Sequence, residues 1–236
     1  MAQTCPALQL WGNMIRRLFA LVPELKRLRL SSLDPVEMDD DLWQLIGEEP
    51  RLLPHLHMSL QAGDDMILKR MKRRHLRADA ISFCEKARKL RPDVVFGADL
   101  IAGFPTETEE MFENTLRSID DCGLTYLHVF PYSSRPGTPA SRMPPVPGAI
   151  VKKRAAILRQ KGDEALQQFY ASCVGKDMEL LVESLEKIDG GLVIRGKTDH
   201  FAPIHLETPI EYAIGSVIRA HIIEATSDGL KGIEIE

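Results

Sequence analysis

Apolar residues recur at helical spacing through LQLWGNMIRRLFAL (8–21) and predict an amphipathic helix. KRLRLSSLDP (26–35) switches to alternation, which predicts a strand that stops at Asp34-Pro35. DDDLWQLIGEEP (39–50) returns to helical spacing, with acids in the first turn where they suit the helix dipole. HLHMSLQ (55–61) reads as the next strand, followed by helices over about 64–72 and 77–91. DVVFGADLIAGFP (93–105) is almost continuously apolar, as expected of a parallel strand covered on both faces. TETEEMFENTLRSIDDCG (106–123) reads as a helix. Thr106 and Glu109 predict a capping box at its start, and Gly123 predicts its stop. LTYLHVFPYS (124–133) is a strand, a proline-rich loop follows, and a long helix covers about 148–173.

Four strands alternating with helices predict an α/β fold of parallel β/α units, built as an open sheet or a barrel. In both forms ligands sit beyond the C-terminal ends of the strands. Small and polar residues cluster at those ends: Ser31, Ser32 and Asp34; Ser59 and Gln61; Asp99 and Gly103; Tyr132, Ser133 and Arg135. After residue 175 the pattern becomes short alternating strands broken by Gly, Asp and Ser turns, which predicts a small all-β barrel. Two domains follow, 1–174 and 175–236.

Composition adjusts this picture in three ways. At 236 residues and 44% hydrophobic, the chain can bury one sizeable core and still carry a second small domain. A net charge of −4 gives no global attraction to nucleic acid, so any RNA contact must come from local patches. Cys5, Cys84, Cys122 and Cys173 are widely spaced, with no CxxC or CxxxCxxC, so neither a disulfide framework nor a zinc site is expected and a reducing, cytoplasmic setting is. No apolar run is long enough for a membrane span, and the first 20 residues lack the pattern of a secretory signal.

The candidate chemistry lies on and after the strands. His55 and His57 share a strand face at metal-ligand spacing, but no co-ligand stands nearby in sequence, so they read as sheet positions and no metal site is expected. Ser59 and Gln61, also two apart, offer a hydroxyl and an amide to a polar ligand, and Ala62-Gly63 allow close approach to backbone. LKRMKRRH (68–75) holds Lys69, Arg70, Lys72, Arg73 and Arg74, which read either as a solvated helix face or as a phosphate-contacting patch. DLIAGFPTET (99–108) leads into a helix start whose free N–H groups suit an anion. Arg135, in FPYSSRPGTPA (130–140), suits bidentate pairing with a carboxylate or phosphate.

HLHMSLQAGDDMILKRMKRRH, ADLIAGFPTETEEMFENTL and HVFPYSSRPGTPA, in this order and spacing, closely resemble the radical S-adenosylmethionine (SAM) methylthiotransferases. The nearest branch is the one that thiomethylates threonylcarbamoyl-adenosine 37 of tRNA. The resemblance covers essentially the whole chain, and the last 60 or so residues resemble the RNA-binding TRAM barrel. It implies a fold: an incomplete radical SAM (β/α) barrel followed by a small all-β TRAM barrel. It also implies a reaction, in which SAM and 4Fe–4S clusters add a methylthio group to C2 of the modified adenosine. The family's cluster cysteines find no match here, so the chain is expected to be a C-terminal fragment that binds neither cluster.

By the same resemblance, Ser59 and Gln61 fall at the ribose and amino-acid side of SAM. Ile101 and Gly103 fall near its adenine, and Phe130 to Ser133 lie on the last strand end. Asp99 joins this cofactor set, while Arg135 and the basic run 69–74 are expected to hold the tRNA anticodon loop. A second reading is a non-catalytic RNA-binding fragment. A third, a β/α-barrel hydrolase, finds no nucleophile–base pair of recognisable spacing.

Overall fold

The structure, a computed structural model, describes residues 11–189 and 191–235. Helix α1 (Trp11–Leu21) leads into strand β1 (Leu28–Leu33). The predicted first three residues of that helix lie outside the described residues. Helix α2 (Asp40–Glu48) starts where Asp39 accepts a hydrogen bond from the Leu42 N–H, and strand β2 (Leu52–Gln61) follows. Helices α3 (Asp65–Arg70) and α4 (Arg77–Leu90) then lead to strand β3 (Val95–Ala102). Helix α5 (Glu109–Cys122), strand β4 (Leu124–Pro131) and the long helix α6 (Gly148–Cys173) complete this part of the chain.

The four strands form one sheet in the order β1-β2-β3-β4, every pair parallel. Consecutive order with helical crossovers places the helices on one face, because such crossovers share a hand. Leu56, Met58 and Leu60 of β2, with Phe96, Ala98, Leu100 and Ala102 of β3, point into the core beneath them. The alternate residues point the other way. His57 lies beside Gly97 and Gly97 beside Tyr126; Asp99 pairs with His128, and Ile101 with Phe130. The apolar run at β3 was expected to be covered on both faces. Among the described residues helices cover one face; Val95, Gly97, Asp99 and Ile101 occupy the other, where the strand's apparent hydrophobicity comes from a valine, a glycine and an isoleucine.

The start of α5 also differs from expectation. Thr106 adopts a left-handed backbone, φ 69°, and sits in a turn before the helix. Thr108 is the cap, its hydroxyl oxygen accepting the Met111 N–H at 3.3 Å. Gly123 ends the helix in the left-handed conformation, as its position predicts.

From β5 (Asp177–Ile188) the chain winds through β6 (Gly191–Thr198), β7 (Pro203–Thr208), β8 (Val217–Thr226) and β9 (Gly229–Ile235) into a closed barrel of order β5-β6-β7-β9-β8. Closure removes the exposed edges that an open sheet retains. Met178, Leu180 and Val182 alternate inward along β5 and meet Ile194, Ile204, Leu206 and Ile222 in the barrel core. Tyr170 and Cys173 of α6 join this core, and burial pushes the Tyr170 phenol up to about 12. The chain divides into two compact units at Gly162/Asp163, within α6 rather than at the 174/175 junction drawn from the strand pattern.

Candidate functional site

At the C-terminal ends of β2, β3 and β4 lies a cavity of about 440 Å³, walled by Gln61, Asp99, Ile101, Phe130, Ser133 and Arg135, with Tyr132 and Thr138 beside them. Six residues expected at a cofactor or substrate site therefore meet in one place. Ser31, Ser32 and Asp34, at the end of β1, line a different cavity of about 310 Å³. Three strand ends converge rather than four.

Gln61 reaches the cavity because β2 does not finish as a regular strand. Its register with β3 shifts between Met58 and Gln61, and Gln61 itself takes φ 68°. The expected shared face of Ser59 and Gln61 is thereby broken. Ser59 stays half-buried and gives its carbonyl to Arg73 at 2.8 Å. Gly63, expected to admit a ligand, admits helix α5 instead. A Cβ there would lie 2.4 Å from Ser118 Oγ, and the Gly63 N–H donates to Thr115 Oγ1 at 3.1 Å.

Gly103 is likewise structural. Its φ is 74°, its N–H donates to Glu107 Oε2 at 3.0 Å, and a Cβ would strike Val151. Glu107 is buried against Arg154 at 2.8 Å. Burial pushes its carboxyl up, against the pull of Arg154 and the Gly103 N–H. The expected anion site at this helix start is occupied by the protein's own carboxylates, Glu107 on Arg154 and Glu109 in the first turn, where Arg154 also holds it at 2.8 Å.

A second cavity of about 360 Å³ shares Gln61, Ile101, Thr138 and Ala140 with the first and adds Arg70, Lys72 and Arg73. Three of the five residues of the basic run thus border the strand-end rim. Arg73 also pairs with Asp34 at 3.2 Å, and Arg74 pairs with Glu37 and Asp34. Lys69 is solvent-exposed on α3. The run is neither a free face nor wholly neutralised.

Sequence reasoning missed a polar cluster beside the cavity. His57 donates an imidazole N–H to Asp99 Oδ1 at 3.0 Å, and His128 donates to the same oxygen at 3.1 Å. The His57 and His128 ring centroids are 4.7 Å apart. The His57 ring turns its Nδ1 edge to Gly97, which has no side chain; a Cβ there would fall 2.3 Å from that nitrogen. The three residues are 42 and 29 positions apart, so no local spacing could announce them. The available signal was alternation: His57, Asp99 and His128 each sit on the non-core parity of their strands.

Cys84, Cys122 and Cys173 are all buried free thiols, on α4, α5 and α6. Cys84 and Cys122 contact one another in the helix-side core, which raises the Cys84 thiol and lowers that of Cys122. An iron–sulfur cluster takes about four thiolates around one exposed pocket. Among the described residues no such set exists, so these cysteines do not fit a cluster.

Residues 9–119 match the Radical SAM superfamily. Over 218 residues the chain is 52% identical to the threonylcarbamoyladenosine tRNA methylthiotransferase MtaB of Rickettsia prowazekii, covering 92% of this chain and 49% of that protein. It is 37% identical over 214 residues to the tRNA-2-methylthio-N(6)-dimethylallyladenosine synthase of Rickettsia rickettsii, covering 90% and 48%. The chain spans about half the length of the curated relatives it matches. Among solved structures, the radical SAM coproporphyrinogen III oxidase HemN of Escherichia coli aligns over 96% of this chain and 57% of that one. The TM-score is 0.53 and the identity 18%, a likeness of fold.

Proposed function

We propose, for a chain that carries a Radical SAM domain and is homologous to the tRNA methylthiotransferases, that the strand-end cavity holds SAM and that the basic rim beside it holds an RNA backbone. On this reading the chain is the portion of a cytoplasmic tRNA methylthiotransferase that carries the later β/α units and a C-terminal TRAM-type barrel. The whole enzyme adds a methylthio group to C2 of modified adenosine 37 in the tRNA anticodon loop. SAM would supply the radical chemistry there together with iron–sulfur clusters.

One observation carries the proposal. Gln61, Asp99, Ile101, Phe130, Ser133 and Arg135, drawn from three strands, wall a single cavity at the ligand end of a parallel sheet. Phe130 and Ile101 offer apolar surface for a nucleobase. Gln61 and Ser133 offer hydrogen-bonding groups, and Arg135 offers a cation for a carboxylate.

RNA contact follows charge. Residues 175–236 hold six basic and twelve acidic residues, a net of −6, which leaves residues 1–174 at +2. Phosphate contacts therefore fall chiefly to Arg70, Lys72 and Lys69 near the rim. In the barrel they are confined to the groove of about 560 Å³ where Arg195, Lys197 and His205 meet.

Calorimetric titration of the full chain with SAM, beside an Arg135→Ala variant, tests the cofactor half. Saturable binding that weakens in the variant supports it; no binding removes it. Titration with an anticodon stem-loop at two salt concentrations tests the other half, since about one unit of log–log salt slope is lost for each phosphate contact deleted. A second reading, a non-catalytic RNA-binding chain, is favoured by the core positions of the three described cysteines. It predicts stem-loop binding without SAM binding.

A further inference from the structure

The open face of the sheet brings together three metal-ligating side chains from three neighbouring strands. One ligand atom from each of His57, Asp99 and His128 lies within 4.8 Å of the other two. We propose that His57, Asp99 and His128 form a binding site for a first-row divalent transition-metal ion, with open coordination positions toward the strand-end cavity.

The spacing, that of two hydrogen bonds to one oxygen, also fits a shared ion. Two ligand atoms held at ordinary metal–nitrogen and metal–oxygen distances on one ion lie about 3.0 Å apart at a right angle and about 3.4 Å apart at a tetrahedral angle. The observed separations from Asp99 Oδ1 are 3.0 Å to His57 and 3.1 Å to His128. Two imidazoles on one ion at such angles place their ring centroids roughly 4.5–5.2 Å apart, and the rings here are 4.7 Å apart. Each imidazole now points its N–H at the carboxylate. A shift of that proton to the ring's other nitrogen frees both facing lone pairs, and the ion takes the place of the two hydrogens.

The surroundings supply pre-organisation on one side and access on the other. Gly97 lets the His57 ring lie against β3, and the His57 side chain is only 8% exposed. His128, at 60%, stands at the open side, and Asp99 also walls the cavity. Two nitrogen donors and one carboxylate select zinc, iron(II), cobalt(II) or nickel(II) over magnesium and calcium, which prefer all-oxygen shells. Three protein ligands leave positions for water or a ligand oxygen, the pattern of a site that works on what it binds.

The probe is Co²⁺, titrated into the tag-free full chain and followed by its visible absorption, with Zn²⁺ competition by calorimetry. One saturable ion per chain is expected. In His128→Ala, which removes an exposed side chain without touching the core, affinity falls on the order of 100-fold. Asp99→Asn behaves alike. His221→Ala, which alters the exposed His221–Asp177 pair of the barrel, leaves binding unchanged. Absence of saturable Co²⁺ binding overturns the site, as does equal binding by wild type and His128→Ala, or loss of the ion in His221→Ala.

Discussion

The two faces of the parallel sheet are built from the same strands and obey opposite rules. Toward the helices, Leu56, Met58, Leu60, Phe96, Ala98 and Leu100 are almost fully buried and close-packed. On the other face, His57, Gly97, Asp99, Tyr126 and His128 follow the identical register but carry polar, aromatic or absent side chains. One residue of register separates them. A face under helices is judged by volume and a face open to a ligand by the hydrogen bonds it can make, so stability and chemistry are divided between odd and even positions of one strand.

The sharpest way to break this contrast is on the packed face. Phe96 is fully buried, with Phe83 at 6.1 Å and the Arg88 guanidinium over its ring at 4.7 Å. Phe96→Ala is expected to cost about 3–5 kcal/mol, measured as a fall in the urea midpoint with little change in slope.

At the end of β3, Glu107→Ala leaves Arg154 buried without its main partner and is expected to cost about 3–5 kcal/mol. Glu109→Ala, which removes the 72% exposed partner of the same arginine, is expected to cost less than about 1 kcal/mol. Equal losses in a side-by-side denaturation would refute this division. The pH dependence follows. Burial places the folded Glu107 value above the ordinary 4.5, so the folded state holds the proton more tightly. Stability then falls as pH rises from that ordinary value through the raised one. Glu107→Gln should flatten this part of the stability–pH curve.

Gly97→Ala lies between the two faces. The added methyl meets the His57 ring, and the cost is expected at about 1–3 kcal/mol. Loss of the His57–Asp99 hydrogen bond should show as a shift in the imidazole nitrogen resonances. A variant with those resonances unmoved would show that Gly97 does not hold the ring.

The smallest effects on stability belong to the open face. Asp99→Asn and Arg135→Ala are each expected to change unfolding free energy by less than about 1 kcal/mol. Both should weaken ligand binding at the cavity, read by calorimetry. A large stability loss without a binding change would place them with the packed face instead.

Most elements were legible in the sequence because periodicity reports burial directly: α6 runs over the predicted 148–173, and each strand of the barrel was visible as an alternating segment. The errors fell where two local signals compete. Thr106 and Thr108 both precede acids at capping distance, and only the backbone turn at Thr106 decides between them. Gly63 and Gly103 looked like space for a ligand, but space beside a glycine belongs to whichever element packs there, here α5 and α6.

The alternation of apolar and polar residues was enough to determine a parallel α/β sheet followed by a small barrel, because hydrophobic period is a property of each segment alone. It also marked Gln61, Asp99, Ser133 and Arg135 as strand-end positions, to which the family resemblance added Ile101 and Phe130. Tertiary structure alone decided that these residues share one cavity, that Ser59 and Gly103 stand outside it, and that His57, Asp99 and His128 meet. Contacts between side chains so far apart in sequence depend on strand order and register, which no single segment encodes.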